Sequence, residues 1–436
     1  MEAQLIAQEG RDAPALPAAA EQSHSISAAL QEADTNTRRY LEHVVLLAHP
    51  ALEGRLPGEE GSALAEAVIT RTFKQLGLSA PFADGTYRQP FDFRQGGRFG
   101  SRELAKIVQG YNVAAALPGT GDLAQEWVVL GAHHDHLGRG AFGSRGGSGE
   151  IHEGADDNAS GTAAVLLAAE LLAEHLSGDE TARRSILFIT FSGEESGLNG
   201  SRFFVENAPV PLEAITLMVN LDMVGRISER AVKITGAGSG AGLKELIELS
   251  AQNSSLDVAL PTGLTSRSDH AEFYRRDIPV LFITEAVFPD EYHTPADESW
   301  LIQVEEGAAV AKLAAEIVDR AAHLPNRPSF AKIEGFESGE GGPSMSDIKI
   351  RFGIKPGNYG DTEPGIAVAG VSPDTSAETA GILKGDILLM WNERPIEGVR
   401  EWMLMMAEHE PGDIVIVRIQ RGEEELDLPV MLKPRN

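Results

Sequence analysis

Short apolar runs alternate with amphipathic stretches through the middle of the chain. Trp127–Leu130, Ser185–Phe191, Ile215–Val219 and Ile278–Ile283 are near-continuous apolar runs of the kind that form buried strands. Helical spacing of apolar residues predicts helices over Gly161–His175, Leu243–Ala251 and Val304–Ala322, with earlier ones from Thr37 to Ala48 and from Leu64 to Leu76. Strands alternating with helices predict an α/β fold, a mainly parallel mixed sheet flanked by helices, whose ligands collect at the carboxyl ends of the strands. After Leu324 the pattern changes. Short strand-like runs at Ile348–Ile354, Ile366–Val371, Asp386–Trp391 and Ile414–Gln420, with one helix near Val399–Glu408, predict a small β-rich module. The expected division is an arm over 1–36, a large domain over 37–325, a linker over 326–345 and the module over 346–436.

Composition narrows the chemistry. The chain has 436 residues, a formal charge of -28 and no cysteine. Such an acidic surface repels a phosphate backbone and favours a cationic ligand, such as the free amino end of a peptide. Any metal site must be built from His, Asp and Glu. No apolar run approaches the roughly 20 residues of a membrane span. The start of the chain carries no signal pattern as given, although a chain trimmed of its signal would look the same.

Five polar stretches lie beside the apolar runs. The first, Gly131–Gly138, carries His133, His134, Asp135 and His136, and its bland reading is a polar turn of solvated histidines. The second, Gly154–Gly161, reads equally as a capped helix start around Asp156, Asp157 and Asn158. The third sets Glu194 and Glu195 just after a buried strand. The fourth places Asp222 at the end of an apolar run, where an ionised carboxylate calls for a cation or hydrogen bonds. The fifth holds Tyr292, His293 and Asp297, and a lone histidine in such a loop is usually solvated. Two divalent ions sharing a bridging carboxylate explain all five at once. Such a pair suits hydrolysis at neutral pH, with a further carboxylate to take and return a proton.

These stretches, in this order, resemble the M28 family of zinc aminopeptidases over roughly residues 40–322, with Leu52-Glu53-Gly54-Arg55 and Ser268-Asp269-His270 as further family-like features. The resemblance implies two Zn2+ ions, with Co2+ or Mn2+ as alternatives. It makes His133 and Asp222 ligands of one, Glu195 and His293 ligands of the other, Asp157 the bridge and Glu194 the general base. It also implies that Asp135 orients His133, that the Asp157–Asn158 peptide is cis, that Asp297 and Asp269 act behind the ligands, and that Tyr292 polarises the scissile carbonyl. His134 and His136 receive no role and either line the pocket or face solvent. His152 is read as a non-ligand.

Gly236–Ala241 fits a loose dinucleotide fingerprint but is read as a structural turn, since no second nucleotide-binding unit surrounds it. The C-terminal module resembles a bacterial PDZ domain through Pro364–Val368, Val371–Pro373, Thr379–Leu388 and Pro411–Asp413. That resemblance implies a groove for a peptide or protein C-terminus between the strand from Ile366 and the helix near Val399, touching Gly365, Ile366, Ala367 and Val368.

The expected function is therefore a zinc aminopeptidase acting on peptides with a free N-terminus. Carboxypeptidase-like or glutaminyl cyclase-like chemistry on the same fold, and an inactive PDZ-bearing binding protein, are the alternatives. Compartment is unassigned from the sequence; the family resemblance implies periplasmic or secreted if a signal was removed.

Overall fold

The computed structural model describes residues 34–95, 106–140, 143–147, 149–286, 289–334, 336, 348–356, 365–396, 399–422 and 424–434. Most of the expected arm and the later part of the expected linker lie outside these residues.

The large domain is built on an eight-stranded sheet in the order β1-β2-β4-β3-β5-β8-β6-β7. The strands are β1 Arg88–Gln95, β2 Lys106–Leu117, β3 Trp127–His133, β4 Ser185–Phe191, β5 Ile215–Leu221, β6 Ala231–Thr235, β7 Asp257–Ala259 and β8 Val280–Glu285. The four central strands β4, β3, β5 and β8 run parallel. β4, β5 and β8 are buried along their whole length, and β3 beyond Trp127, because helices cover both faces; hence their unbroken apolar runs. The outer strands are antiparallel at β1–β2, β2–β4 and β6–β8. Their weaker apolar signal hid β1 and β2 from the sequence reading.

The helix Gly161–His175 packs against the helices Thr35–Leu47 and Val304–His323. Its residues from Gly161 to Ala169 are all buried, which explains an alanine- and leucine-rich sequence with little polar face. Asp34 caps the first of these helices, its carboxylate accepting from Asn36 N at 2.8 Å and Thr37 N at 3.1 Å.

Residues 326–334 and 336 fall within the stretch expected as a linker. Gly240 bridges to Phe330, Ala331 N donates to Ser239 O at 2.8 Å, and Phe330 and Phe336 pack on the Tyr274 ring. Two aromatic side chains give this stretch apolar area to bury, so it adheres to the large domain. Gly236–Ala241 is a structural turn as expected: Ser239 Oγ accepts from Val280 N at 2.8 Å, and β6 runs antiparallel to β8.

In the C-terminal module a sheet runs β10-β11-β12-β14-β15, with β13 added to β12 and a separate pair β16-β9. Here β9 is Ile350–Arg351, β10 Ile354–Pro356, β11 Ile366–Val371, β12 Ile387–Trp391, β13 Arg394–Pro395, β14 Ile414–Arg421, β15 Glu424–Met431 and β16 Lys433–Pro434. The expected peptide edge along Gly365, Ile366, Ala367 and Val368 falls at the start of β11. β11 pairs with β10 through Val368, Gly370 and Val371, and with β12 through Ile366 and Ala367. Among the described residues β10 is the end strand of this sheet order, so it offers an outer edge to an added strand.

Buried neutral histidines give the fold a pH dependence. Burial pushes the His270 imidazole down to about 4, against the pull of the Thr265 carbonyl, which accepts from Nε2 at 2.7 Å; the ring stacks on Phe282. The folded pKa lies below the unfolded value near 6.5, so the stability this group supports is complete above pH 6.5 and is lost as pH falls towards 4. Metal-free His270→Gln should lose less stability than the wild type over that interval, by up to about 3 kcal/mol. Denaturant midpoints between pH 7 and 4 check this, and parallel curves for the two proteins would refute it.

Candidate metal centre

The carboxyl ends of β3, β4, β5 and β8 point to one edge of the sheet, and every stretch singled out in the sequence meets there. β3 ends on His133, Glu194 and Glu195 follow β4, Asp222 follows β5, and His293 lies in the loop after β8. Asp157 comes from the kinked turn that leads into the Gly161–His175 helix, and its peptide bond to Asn158 is cis.

Two groups of ligand-type side chains form, His133 with Asp157 and Asp222, and His136 with Asp157 and Glu195. His133 Nε2 lies 3.3 Å from Asp157 Oδ1 and 3.3 Å from Asp222 Oδ1. His293 Nε2 lies 3.0 Å from Asp157 Oδ2 and 3.0 Å from Glu195 Oε2. Asp157 therefore turns one oxygen to each histidine.

The donor set fits divalent metal on this chain's own geometry. His293 Nε2 is near two carboxylate oxygens without forming an aligned hydrogen bond to either. Imidazole nitrogens and carboxylate oxygens converging on a common point are what a divalent cation requires. Like charge is crowded as well: burial raises the Glu194 carboxyl well above its ordinary range, His133 opposes this, and Glu195 and Asp222 add to it. Burial also disfavours the ionised form of Asp157, but His133 and His293 hold its pKa well below the ordinary value. For His293, burial opposes protonation, yet Glu195 and Asp157 push its pKa up to about 10.

Behind these side chains, Asp297 accepts from Asp156 N at 2.9 Å and Asp157 N at 3.0 Å, fixing the backbone that carries Asp157. Asn158 ties this turn to the end of β5, its Oδ1 accepting from Gly161 N at 2.9 Å and Met223 N at 3.2 Å while Nδ2 donates to Leu221 O at 3.0 Å. Ser268 Oγ donates to Asp222 Oδ2 at 2.6 Å. Asp269 is fully buried close by, and burial pushes its carboxyl up to about 7.

Asp135 touches His133 through both its backbone and its side chain. His133 Nδ1 lies 3.2 Å from the Asp135 backbone carbonyl and 3.7 Å from its Oδ1, which also accepts from Glu194 N at 3.1 Å. The carboxylate thus positions the Glu194 backbone.

The histidines of Gly131–Gly138 are all buried, against the reading of a solvated turn. His134 Nδ1 pairs with Thr190 Oγ1 at 3.0 Å, and burial, with Arg55 and His133 adding, pushes its pKa down to about 3. His136 Nδ1 lies 2.8 Å from Glu195 Oε1, a contact no sequence spacing announced. His152 Nε2 lies 2.9 Å from Ser144 Oγ and belongs to neither group of ligand-type side chains. The Tyr292 ring stacks on His293 at 3.8 Å between centroids, under the Arg145 guanidinium at 4.5 Å. Burial raises its phenol pKa well above the ordinary value, Asp157, Glu195 and Glu194 reinforce this, and Arg145 opposes it.

Comparison with known proteins agrees with this geometry. Residues 112–318 match the model of peptidase family M28, and residues 350–432 match that of the PDZ domain. Leucine aminopeptidase 2 of Trichophyton equinum is 26% identical over 240 residues, covering 47% of this chain and 44% of the relative. The chain thus spans under half the length of that relative. Among solved structures, BSAP, a zinc aminopeptidase from Bacillus subtilis, is similar at a TM-score of 0.52 and 16% identity, over 68% of this chain and 98% of that one. Porphyromonas gingivalis glutaminyl cyclase is similar at 0.51 and 17%, over 65% of this chain and 98% of that one. At these identities the structural likeness speaks for the fold. No described helix is long and apolar enough to cross a membrane.

Proposed function

From a chain that joins a peptidase family M28 segment to a PDZ domain, we propose a zinc-dependent aminopeptidase that removes amino-terminal residues from peptides. The observation that carries this reading is the pair of imidazole–carboxylate groups sharing Asp157, with Glu194 beside them at the carboxyl edge of the sheet. His133 and Asp222 would hold one zinc, Glu195 and His293 the other, with Asp157 between them. Zinc bound there supplies Lewis acidity, polarising a carbonyl and lowering the pKa of a water.

Glu194 takes the proton of the attacking water and delivers it to the leaving amine. Its half-buried carboxyl, raised by burial, suits a group that must exchange a proton in both directions. The protonated Tyr292 phenol donates to the oxygen that gains charge at the scissile carbonyl. The surplus of carboxylates around the site receives the substrate's α-ammonium, in keeping with the net charge of -28.

The test is product analysis on one peptide in three forms: free, acetylated at its amino end and amidated at its carboxyl end. Cleavage of the free and amidated forms, with the acetylated form untouched, is expected. Loss of cleavage on amidation would point to carboxypeptidase-like chemistry. Ammonia release from amino-terminal glutaminyl peptides without chain cleavage would point to cyclisation.

For the PDZ domain we propose capture of a peptide C-terminus along β10. Gly353, just before that strand, has φ +94, and a Cβ there would lie 2.1 Å from Thr375 Cβ. Gly353→Val should abolish binding of a carboxyl-terminal peptide, read by fluorescence anisotropy, while leaving hydrolysis of a leucine anilide within about twofold of wild type. Unchanged peptide binding would count against that edge.

A further inference from the structure

Arg55 makes contacts that neither the proposed ligands nor the proposed mechanism requires. Its side chain is fully buried, yet no carboxylate among the described residues pairs with it directly. Every hydrogen bond it donates ends on a backbone carbonyl: Nε on His134 O at 2.7 Å, Nη1 on Leu47 O at 2.6 Å and on Glu153 O at 2.6 Å, and Nη2 on Gly154 O at 2.8 Å. These acceptors belong to three separate segments. Leu47 ends the first helix, His134 immediately follows the ligand-type His133, and Glu153 and Gly154 enter the turn that presents Asp157.

The turn around Arg55 is wedged into the same place. Glu53, Gly54 and Arg55 have φ of 45°, 70° and 50°. Gly138 N donates to Gly54 O at 2.9 Å, and a Cβ on Gly54 would lie 2.3 Å from His152 O and 2.6 Å from Gly138 O. A side chain there would push the His133 loop and the Asp157 loop apart.

We infer that Arg55 is a positioning residue of the metal centre: its guanidinium clamps the loop of His133 to the loop of Asp157 and sets the spacing of these two ligands. A neutral donor could serve a purely mechanical clamp at lower desolvation cost. The positive charge has a second use here. Asp297, Asp157, Asp135 and Glu195 act on it electrostatically, and although burial lowers its pKa to about 10, it stays protonated at neutral pH and offsets part of their charge. Lysine cannot substitute, because an ammonium offers three donors from one point rather than a planar fork.

The inference rests on the metal-centre reading, and the test separates the two. Full-length wild type, Arg55→Lys and Arg55→Ala are stripped of metal and titrated with Zn2+ against a chromogenic chelator, with thermal unfolding of the metal-free proteins in parallel. Wild type that takes up no zinc overturns the metal centre itself. With zinc bound to wild type, both variants are expected to bind it about 10- to 100-fold more weakly. At saturating zinc, kcat should fall with KM nearly unchanged. Millimolar guanidinium should restore affinity to Arg55→Ala, whereas methylammonium should not. Wild-type affinity in Arg55→Lys, or a loss in Arg55→Ala that guanidinium does not relieve, overturns the positioning role. So does failure of both variants to fold, which would make Arg55 a folding residue.

Discussion

Glu194→Gln should retain the wild-type metal content and lose turnover by two to four orders of magnitude, roughly the contribution of a positioned general acid–base. The two ligand groups do not include Glu194. Its backbone N–H is held by Asp135 Oδ1 at 3.1 Å, so the glutamine side chain starts from the same anchor and has nearly the same shape. The amide cannot accept and return a proton, which isolates that step from substrate binding. KM should therefore stay within a few-fold while kcat falls, and the acidic limb of the pH–rate profile should disappear with the carboxyl. Metal content measured on the protein sample used for kinetics closes the test. Undiminished hydrolysis of a leucine anilide by a fully loaded Glu194→Gln would remove Glu194 from the mechanism.

The parts of this molecule that the sequence announced are those where one physical demand dominates. β3, β4, β5 and β8 are buried on both faces, so their apolar runs are nearly uninterrupted. Glu194, Glu195 and Asp222 stood out because they directly follow such runs, where an ionised group calls for compensation. The contacts that stayed hidden join residues distant in sequence. His136 meets Glu195, and Ser268 meets Asp222, through loops whose paths depend on the whole domain. Arg55 belonged to a recognised turn, but its bonds to four carbonyls follow no local pattern. β11 has the apolar residues of a strand, while its neighbours are decided by β10 and β12.

Asp157→Ala should remove both metals at once, whereas Asp222→Ala and Glu195→Ala should each release one more readily than the other. The asymmetry follows from where the oxygens point. Asp157 Oδ1 faces His133 at 3.3 Å and Oδ2 faces His293 at 3.0 Å, so one side chain serves both positions. Asp222, held by Ser268, stands on the His133 side, and Glu195, held by His136, stands on the other. Removing a carboxylate from one side leaves that side with an imidazole and the bridge, while the other side keeps an imidazole, a carboxylate and the bridge. Removing the bridge leaves each side with one imidazole and one carboxylate, short of the three protein ligands common at catalytic zinc sites. Loss of the bridge should cost at least two orders of magnitude in turnover, and added zinc should restore little of it. Metal analysis after gel filtration, with titration against a chromogenic chelator, distinguishes the variants. Retention of a full metal complement by Asp157→Ala would show that the two sides do not share that residue, and equal loss from all three variants would point to a single site.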